Sequence, residues 1–195
     1  MKKIVVIMAL FAAVSSNAQV DYPESSGVTF AKSNELRLGV IRLLSGNSLD
    51  IGYERIIDRN QSYGANLLIG FEDYDYEFNQ KFSVSPYYRF YFNKSQEYGA
   101  KGMFVEGFAD FYSGKGVEYD NGYYIPYPDS GYGGYYNYPT KNFFDVALGV
   151  ALGWKWVNTA GFVFELKGGY GRNILNQNPN NDGIFRGDVS IGYRF

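Results

Sequence analysis

Alternation decides most of what this chain can become. From Asn34 onward, apolar residues change places with polar or small ones at nearly every step, the period-two pattern of strands whose two faces meet different surroundings. The last segment is the clearest: Phe185, Gly187, Val189, Ile191, Tyr193 and Phe195 alternate with Arg186, Asp188, Ser190, Gly192 and Arg194. Phe144–Trp156 repeats the pattern, setting Phe144, Val146, Leu148, Val150, Leu152, Trp154 and Trp156 against Asp145, Ala147, Gly149, Ala151, Gly153 and Lys155.

Six further segments obey the same rule. Leu36, Leu38 and Val40 oppose Glu35, Arg37 and Gly39, and Leu49, Ile51 and Tyr53 oppose Asp50, Gly52 and Glu54. Tyr63–Phe71 opposes a face ending in Gly70 and Glu72, and Phe82–Phe92 opposes Ser83, Ser85, Tyr87, Arg89 and Tyr91. Met103–Phe111 opposes Phe104, Glu106, Phe108, Asp110 and Tyr112, the least clean of the set, and Phe162–Tyr170 opposes Glu165, Lys167 and Gly169. The pattern predicts eight strands of roughly 9–13 residues, longer than the usual 5–6 of globular strands and close to what a membrane-crossing strand needs.

Connections at 45–48, 73–81, 114–142 and 175–183 alternate with those at 58–62, 93–102 and 157–161. The longest falls in the first group, as in barrels with long loops at one end and short turns at the other, although 45–48 is shorter and 93–102 longer than that pattern predicts. An even strand number allows the first and last strands to pair. A sheet in hydrocarbon must close in this way, because no water is there to satisfy an open edge. The expected fold is therefore all-β: an eight-stranded antiparallel up-and-down transmembrane β-barrel over residues 34–195, apolar faces outward and charges inward. Inward Gly39, Gly52, Gly64, Gly70, Gly149, Gly153, Gly169 and Gly192 leave room for the large charged neighbours. Three features select this orientation over a soluble barrel: strand length, a final Phe, and aromatics gathered at strand ends (Phe71, Phe82, Phe90, Phe92, Trp154, Trp156, Phe162, Tyr193, Phe195).

Residues 1–18 read as an export signal: Lys2 and Lys3, an apolar run from Ile4 to Val14, then Ser16-Asn17-Ala18 in the small-x-small pattern of a cleavage site. Its removal takes two cations and moves the net charge from −2 to about −4. Residues 19–33 read as a flexible lead-in. The expected location is the cell outer membrane.

The terminal run Val189-Ser190-Ile191-Gly192-Tyr193-Arg194-Phe195 resembles the assembly signal of Gram-negative outer-membrane barrels. The arrangement from about residue 34 to 195 is similar to the small eight-stranded barrels of the OmpA transmembrane domain and OmpX kind. The resemblance implies outer-membrane lipid and the barrel assembly machinery as partners, with Val189, Ile191, Tyr193 and Phe195 as signal positions.

Composition closes off much chemistry. The chain has no His and no Cys, so imidazole or thiolate metal sites, His-based triads and disulfides are excluded. No catalytic residue, metal or cofactor is expected, and the acidic balance argues against nucleic acid. The candidate interior network comprises Glu35, Arg37, Asp50, Glu54, Glu72, Arg89, Glu106, Asp110, Asp145, Lys155, Glu165, Lys167, Arg186, Asp188 and Arg194. Such charges either line a narrow path or pair with one another and fill the bore, and confinement favours pairing. Glu106 and Asp110 lie about 13 Å apart along one strand, beyond the roughly 5–9.5 Å of a glycosidase pair.

The connection 114–142 is rich in Tyr and Gly, and Tyr119, Tyr123, Tyr124, Tyr127, Tyr132, Tyr135, Tyr136 and Tyr138 make it a candidate surface for an extracellular ligand. The expected role is structural or adhesive. A narrow channel, or a secreted soluble barrel holding a lipophile, are the alternatives.

Overall fold

The computed structural model describes residues 32–45, 48–71, 79–92, 99–127, 133–177 and 181–195. The signal segment, most of the lead-in, Glu72 and Tyr132 lie outside these residues. Eight strands form a closed antiparallel barrel: β1 (Asn34–Gly39), β2 (Ser48–Ile56), β3 (Gln61–Gly70), β4 (Asn79–Tyr91), β5 (Gly102–Val117), β8 (Thr140–Val157), β9 (Phe162–Asn173) and β10 (Gly183–Arg194). Each pairs with its sequence neighbour in the wall, and β1 pairs with β10 to close it. Between β5 and β8, a two-stranded hairpin of β6 (Tyr123–Pro126) and β7 (Gly134–Asn137) stands as a separate sheet.

The partners step up the wall. From Asn34 they run through Arg55, Tyr63, Tyr88, Gly107, Val150 and Tyr170 to Phe185. That is about ten residues along β10 from Phe195, which exchanges backbone hydrogen bonds with Asn34 at 3.0 and 2.8 Å. This stagger tilts the strands and fixes which inward side chains share a level.

Burial follows the alternation. Charged and small residues point into the bore, while Phe82, Phe90, Leu148, Val150, Leu152, Trp154, Phe164 and Phe185 are exposed on the outside. Val189, Ile191 and Tyr193 share that outer face of β10, and exposed Phe195 follows its end. Glycine makes room where rings cross the bore. A Cβ on Gly153 would stand 2.4 Å from Phe104 Cζ, and one on Gly149 would stand 2.5 Å from Phe108 Cζ.

Four expectations need correction. Val40 does not continue β1: residues Val40–Leu44 form a short helix, α1, packed against β2 and β10. β1 is thus only six residues long, and α1 occupies the wall position where a longer strand would run. β5 and β8, at 16 and 18 residues, exceed the expected lengths because their pairing continues to Val117 and Thr140. The aromatic connection accordingly shrinks to 118–139. The end of the lead-in is anchored, since Lys32 Nζ donates to the Ala160 carbonyl at 3.2 Å and Ile56 N–H donates to the Ser33 carbonyl at 2.8 Å.

Candidate functional site

The bore is the chemically dense part of the molecule. Arg89, on β4, has no solvent exposure. Its Nε donates to Glu106 Oε2 at 2.7 Å, its Nη1 to Glu54 Oε2 and Glu165 Oε2 at 2.7 Å each, and its Nη2 to Glu165 Oε1 at 2.9 Å. The guanidinium carbon also lies 4.5 Å from the Tyr87 ring centroid and 4.3 Å from that of Phe104. One planar cation thus serves three carboxylates from three strands, a task suited to the fixed fork of Arg.

The other charges extend this centre. Arg37 pairs with Glu165, and with Glu54 at 3.1 Å. Lys155 Nζ meets both Glu54 oxygens at 2.8 Å and Glu35 Oε1 at 2.9 Å. Arg194 holds Glu35 at 3.0 Å. Arg186 and Lys167 face Glu106 at 3.4 and 3.9 Å, and Arg186 lies 4.4 Å from the Phe108 ring centroid. Ten of the predicted charges therefore form one array drawn from every barrel strand except β3.

The remaining four described carboxylates point inward but take hydrogen bonds from neutral groups. Asp110 accepts from the Ser83 hydroxyl, and from that of Ser85 at 2.7 Å. Asp145 accepts from the backbone N–H of Gln177 at 2.8 Å and that of Leu175 at 3.2 Å, tying the β9–β10 connection to β8. Asp50 and Asp188 lie near α1. Glu106 and Asp110, which the sequence spaces too widely for a hydrolytic pair, belong to different clusters.

Alternation understates the aromatic contribution. Tyr91 Oη donates to Glu54 Oε1 at 2.7 Å, and Tyr87 Oη lies 3.3 Å from Glu54 Oε2. Both tyrosines occupy inward positions in the sequence pattern, but nothing there assigns them to the ionic array. The Glu35, Glu54 and Glu165 carboxylates approach within 4.8 Å of one another, a spacing compatible with a metal ion. Lys155 already stands among them, with its ammonium 3.6 Å from Glu165. The three therefore form a lysine and arginine site.

The terminal end of the bore is closed by Gly99 and Ala100, which lie in the connection 93–102 that the sequence left unexplained. Arg194 Nη1 donates to the Gly99 carbonyl at 2.6 Å, and Nη2 donates to the Ala100 carbonyl at 2.8 Å. Ala100, at φ 53°, is fully buried in a cluster with Ile56, Tyr91 and Phe104. Arg194→Ala should loosen this closure while leaving Glu35 paired to Lys155, lowering stability by about 1–3 kcal/mol. Hydrogen exchange at Ala100 and Lys101 should accelerate well beyond that of the β5–β8 ladder.

The candidate ligand surface stands at the opposite end. Tyr123 and Tyr124 lie on β6, Tyr135 and Tyr136 on β7, Tyr119 in the 3-10 turn Tyr119–Asn121, and Tyr127 and Tyr138 beside the hairpin; all are exposed. Ring centroids of Tyr119 and Tyr138, Tyr138 and Tyr136, and Tyr136 and Tyr124 are 5.1, 6.1 and 5.5 Å apart, giving a continuous aromatic row on one face. Glu118 and Lys141 pair at its base at 3.6 Å.

Comparison with protein-family models, curated proteins and solved structures gives no match.

Proposed function

We propose that the protein is an outer-membrane β-barrel with a filled bore, and that its role is structural and adhesive, exercised through the aromatic hairpin. The observation that carries this reading is the barrel's polarity. Its outer face from Phe82 to Phe90 on β4, and from Phe144 to Trp156 on β8, carries no charge, while buried Arg89, Glu106, Lys155 and Glu165 point inward. Water as the outer solvent would favour the reverse arrangement. Lipid favours this one.

The outer face is layered as well. Trp154, Trp156, Phe162, Phe164, Phe90 and Phe92 gather toward the terminal end, and Phe71, Phe82, Phe111, Phe144 and Phe185 toward the loop end, with Leu67, Val105, Leu152 and Leu166 between. The span from Phe82 to Phe92 is about ten steps of ~3.3 Å, which a strand tilted by ~40° turns into a band about 25 Å tall. Two aromatic girdles around such a band suit the two interfaces of a bilayer.

The ionic array supports a filled rather than conducting bore. Exposed tyrosines beyond the band support a surface role, since Tyr offers contact area at low entropic cost. Folded protein should run faster than heat-denatured protein on electrophoresis and partition with the envelope fraction. Recovery in the aqueous fraction without detergent would overturn the membrane assignment. Replacing residues 119–138 by a short turn should preserve heat-modifiable migration and abolish adherence of barrel-bearing vesicles to host cells or glycan-coated surfaces. Unchanged adherence would remove the hairpin from the role.

A further inference from the structure

On the hairpin, glycine decides where the rings lie. A Cβ on Gly122 would stand 2.5 Å from Tyr138 Cδ1, and one on Gly134 would stand 2.5 Å from Tyr124 Cζ. Both rings therefore lean over neighbouring main chain where a side chain would otherwise stand, and both keep an exposed side. Tyr136 lies between them, its centroid 6.1 Å from that of Tyr138 and 5.5 Å from that of Tyr124, with its plane within 18° of the Tyr138 plane. At 61% exposure Tyr136 is the most open ring of the row, and Tyr138 at 37% is the most covered.

The charge of the segment narrows what such a surface can hold. No Lys or Arg occurs between Val117 and Thr140, a stretch that carries Glu118, Asp120 and Asp129. Lys141, just beyond it, is turned to Glu118 at 3.6 Å. A phosphate, sulfate or carboxylate ligand would meet like charge there, without the cation that its recognition needs. A wholly apolar ligand fits no better, since every ring of the row ends in a hydroxyl and Ile125 and Pro126 are the only aliphatic side chains of β6 and β7. A pyranose is amphipathic in the matching sense. Its C–H face can lie on an aromatic ring while its equatorial hydroxyls reach phenol oxygens.

We propose that the row binds a neutral polysaccharide, with successive sugar units stacked on Tyr136 and Tyr138. The proposal deepens the adhesive reading of the hairpin and rests on it. Near-parallel planes give two adjoining units platforms of one orientation. Tyr124, turned by 63° from Tyr136, takes a third unit only where the chain twists. The competing occupant is a cationic partner, which the aromatic faces and the acidic balance would also attract. Salt separates the two, because ion pairing at an exposed surface is screened and stacking is not.

The test uses the full barrel in lipid vesicles, with dextran, mannan and galactan as neutral probes and dextran sulfate and polylysine as charged ones. At least one neutral polysaccharide should be retained, undiminished in about 1 M NaCl. Tyr136→Ala should weaken that binding by about tenfold. Gly122→Ala keeps every tyrosine and, at φ −66° and ψ 138°, leaves the backbone unstrained, yet it lifts Tyr138 from its seat and should weaken binding severalfold. Both variants should retain heat-modifiable migration. Retention of no neutral polysaccharide, retention of dextran sulfate or polylysine alone, or binding unchanged by Tyr136→Ala would overturn the proposal. Host-cell adherence that needs residues 119–138 but is competed by none of the three neutral probes would sink this ligand and keep the adhesive role. Tyr136-dependent polysaccharide binding, with adherence untouched by replacing the hairpin, would do the reverse.

Discussion

Arg89→Met should lower the unfolding free energy of the barrel by about 3–5 kcal/mol, read from denaturant-induced unfolding in lipid vesicles by tryptophan fluorescence. Methionine approximates the stem but withdraws the positive charge from Glu54, Glu106 and Glu165 together. Those carboxylates are buried, so water cannot replace the lost partner. The stacking over Tyr87 and Phe104 goes too. Arg89→Lys should fall between the two, since one ammonium cannot reproduce a guanidinium fork aimed at three acids. Adding Glu165→Gln to Arg89→Met should recover part of the loss, because Arg37 and Lys155 retain Glu54. A double variant whose loss equals the sum of the two single losses would show that the pair is not coupled as the geometry requires.

The alternation in the sequence already contains the wall, because a period of two has one structural meaning and the spacing of segments dictates antiparallel neighbours. Inward and outward assignments of Arg89, Lys155 and Leu148 follow from parity alone. Which charges meet is a different matter. Arg37 and Glu165 are 128 residues apart, and their contact depends on the stagger accumulated around the barrel, which no local pattern records. Asp50, Asp110, Asp145 and Asp188 share the parity of the ionic array, yet they sit nearer the loop end and bond to hydroxyl, amide and backbone groups.

Two other departures have local causes. Val40 fits the alternation of β1, but Ile41-Arg42-Leu43 reverses its parity, setting Arg42 on the apolar register and Ile41 and Leu43 on the polar one, and the chain turns into α1, where the Ile41 N–H donates to Asp188 Oδ1 at 3.3 Å. The long turn after β4 looks anomalous by length alone. Its purpose becomes physical only once Arg194, nearly a hundred residues on, is seen holding the Gly99 and Ala100 carbonyls.

Leu152→Arg distinguishes lipid from water as the solvent of the outer face. Leu152 is exposed at 57%, with Val105 and Gly168 as its cross-strand partners. In a bilayer its guanidinium would enter the aliphatic zone between the aromatic girdles, a cost of about 2–4 kcal/mol near the midplane. In water the same exchange on an exposed strand face stays within about 0.5 kcal/mol of neutral, because no buried contact is lost. Vesicle-folded protein should therefore lose several kcal/mol on denaturant unfolding. Tyr136→Arg on the hairpin, beyond the band, should change it little under the same conditions. Equal, negligible losses at both positions would mean that acyl chains do not cover Leu152, and the polarity of the barrel would then demand another outer solvent.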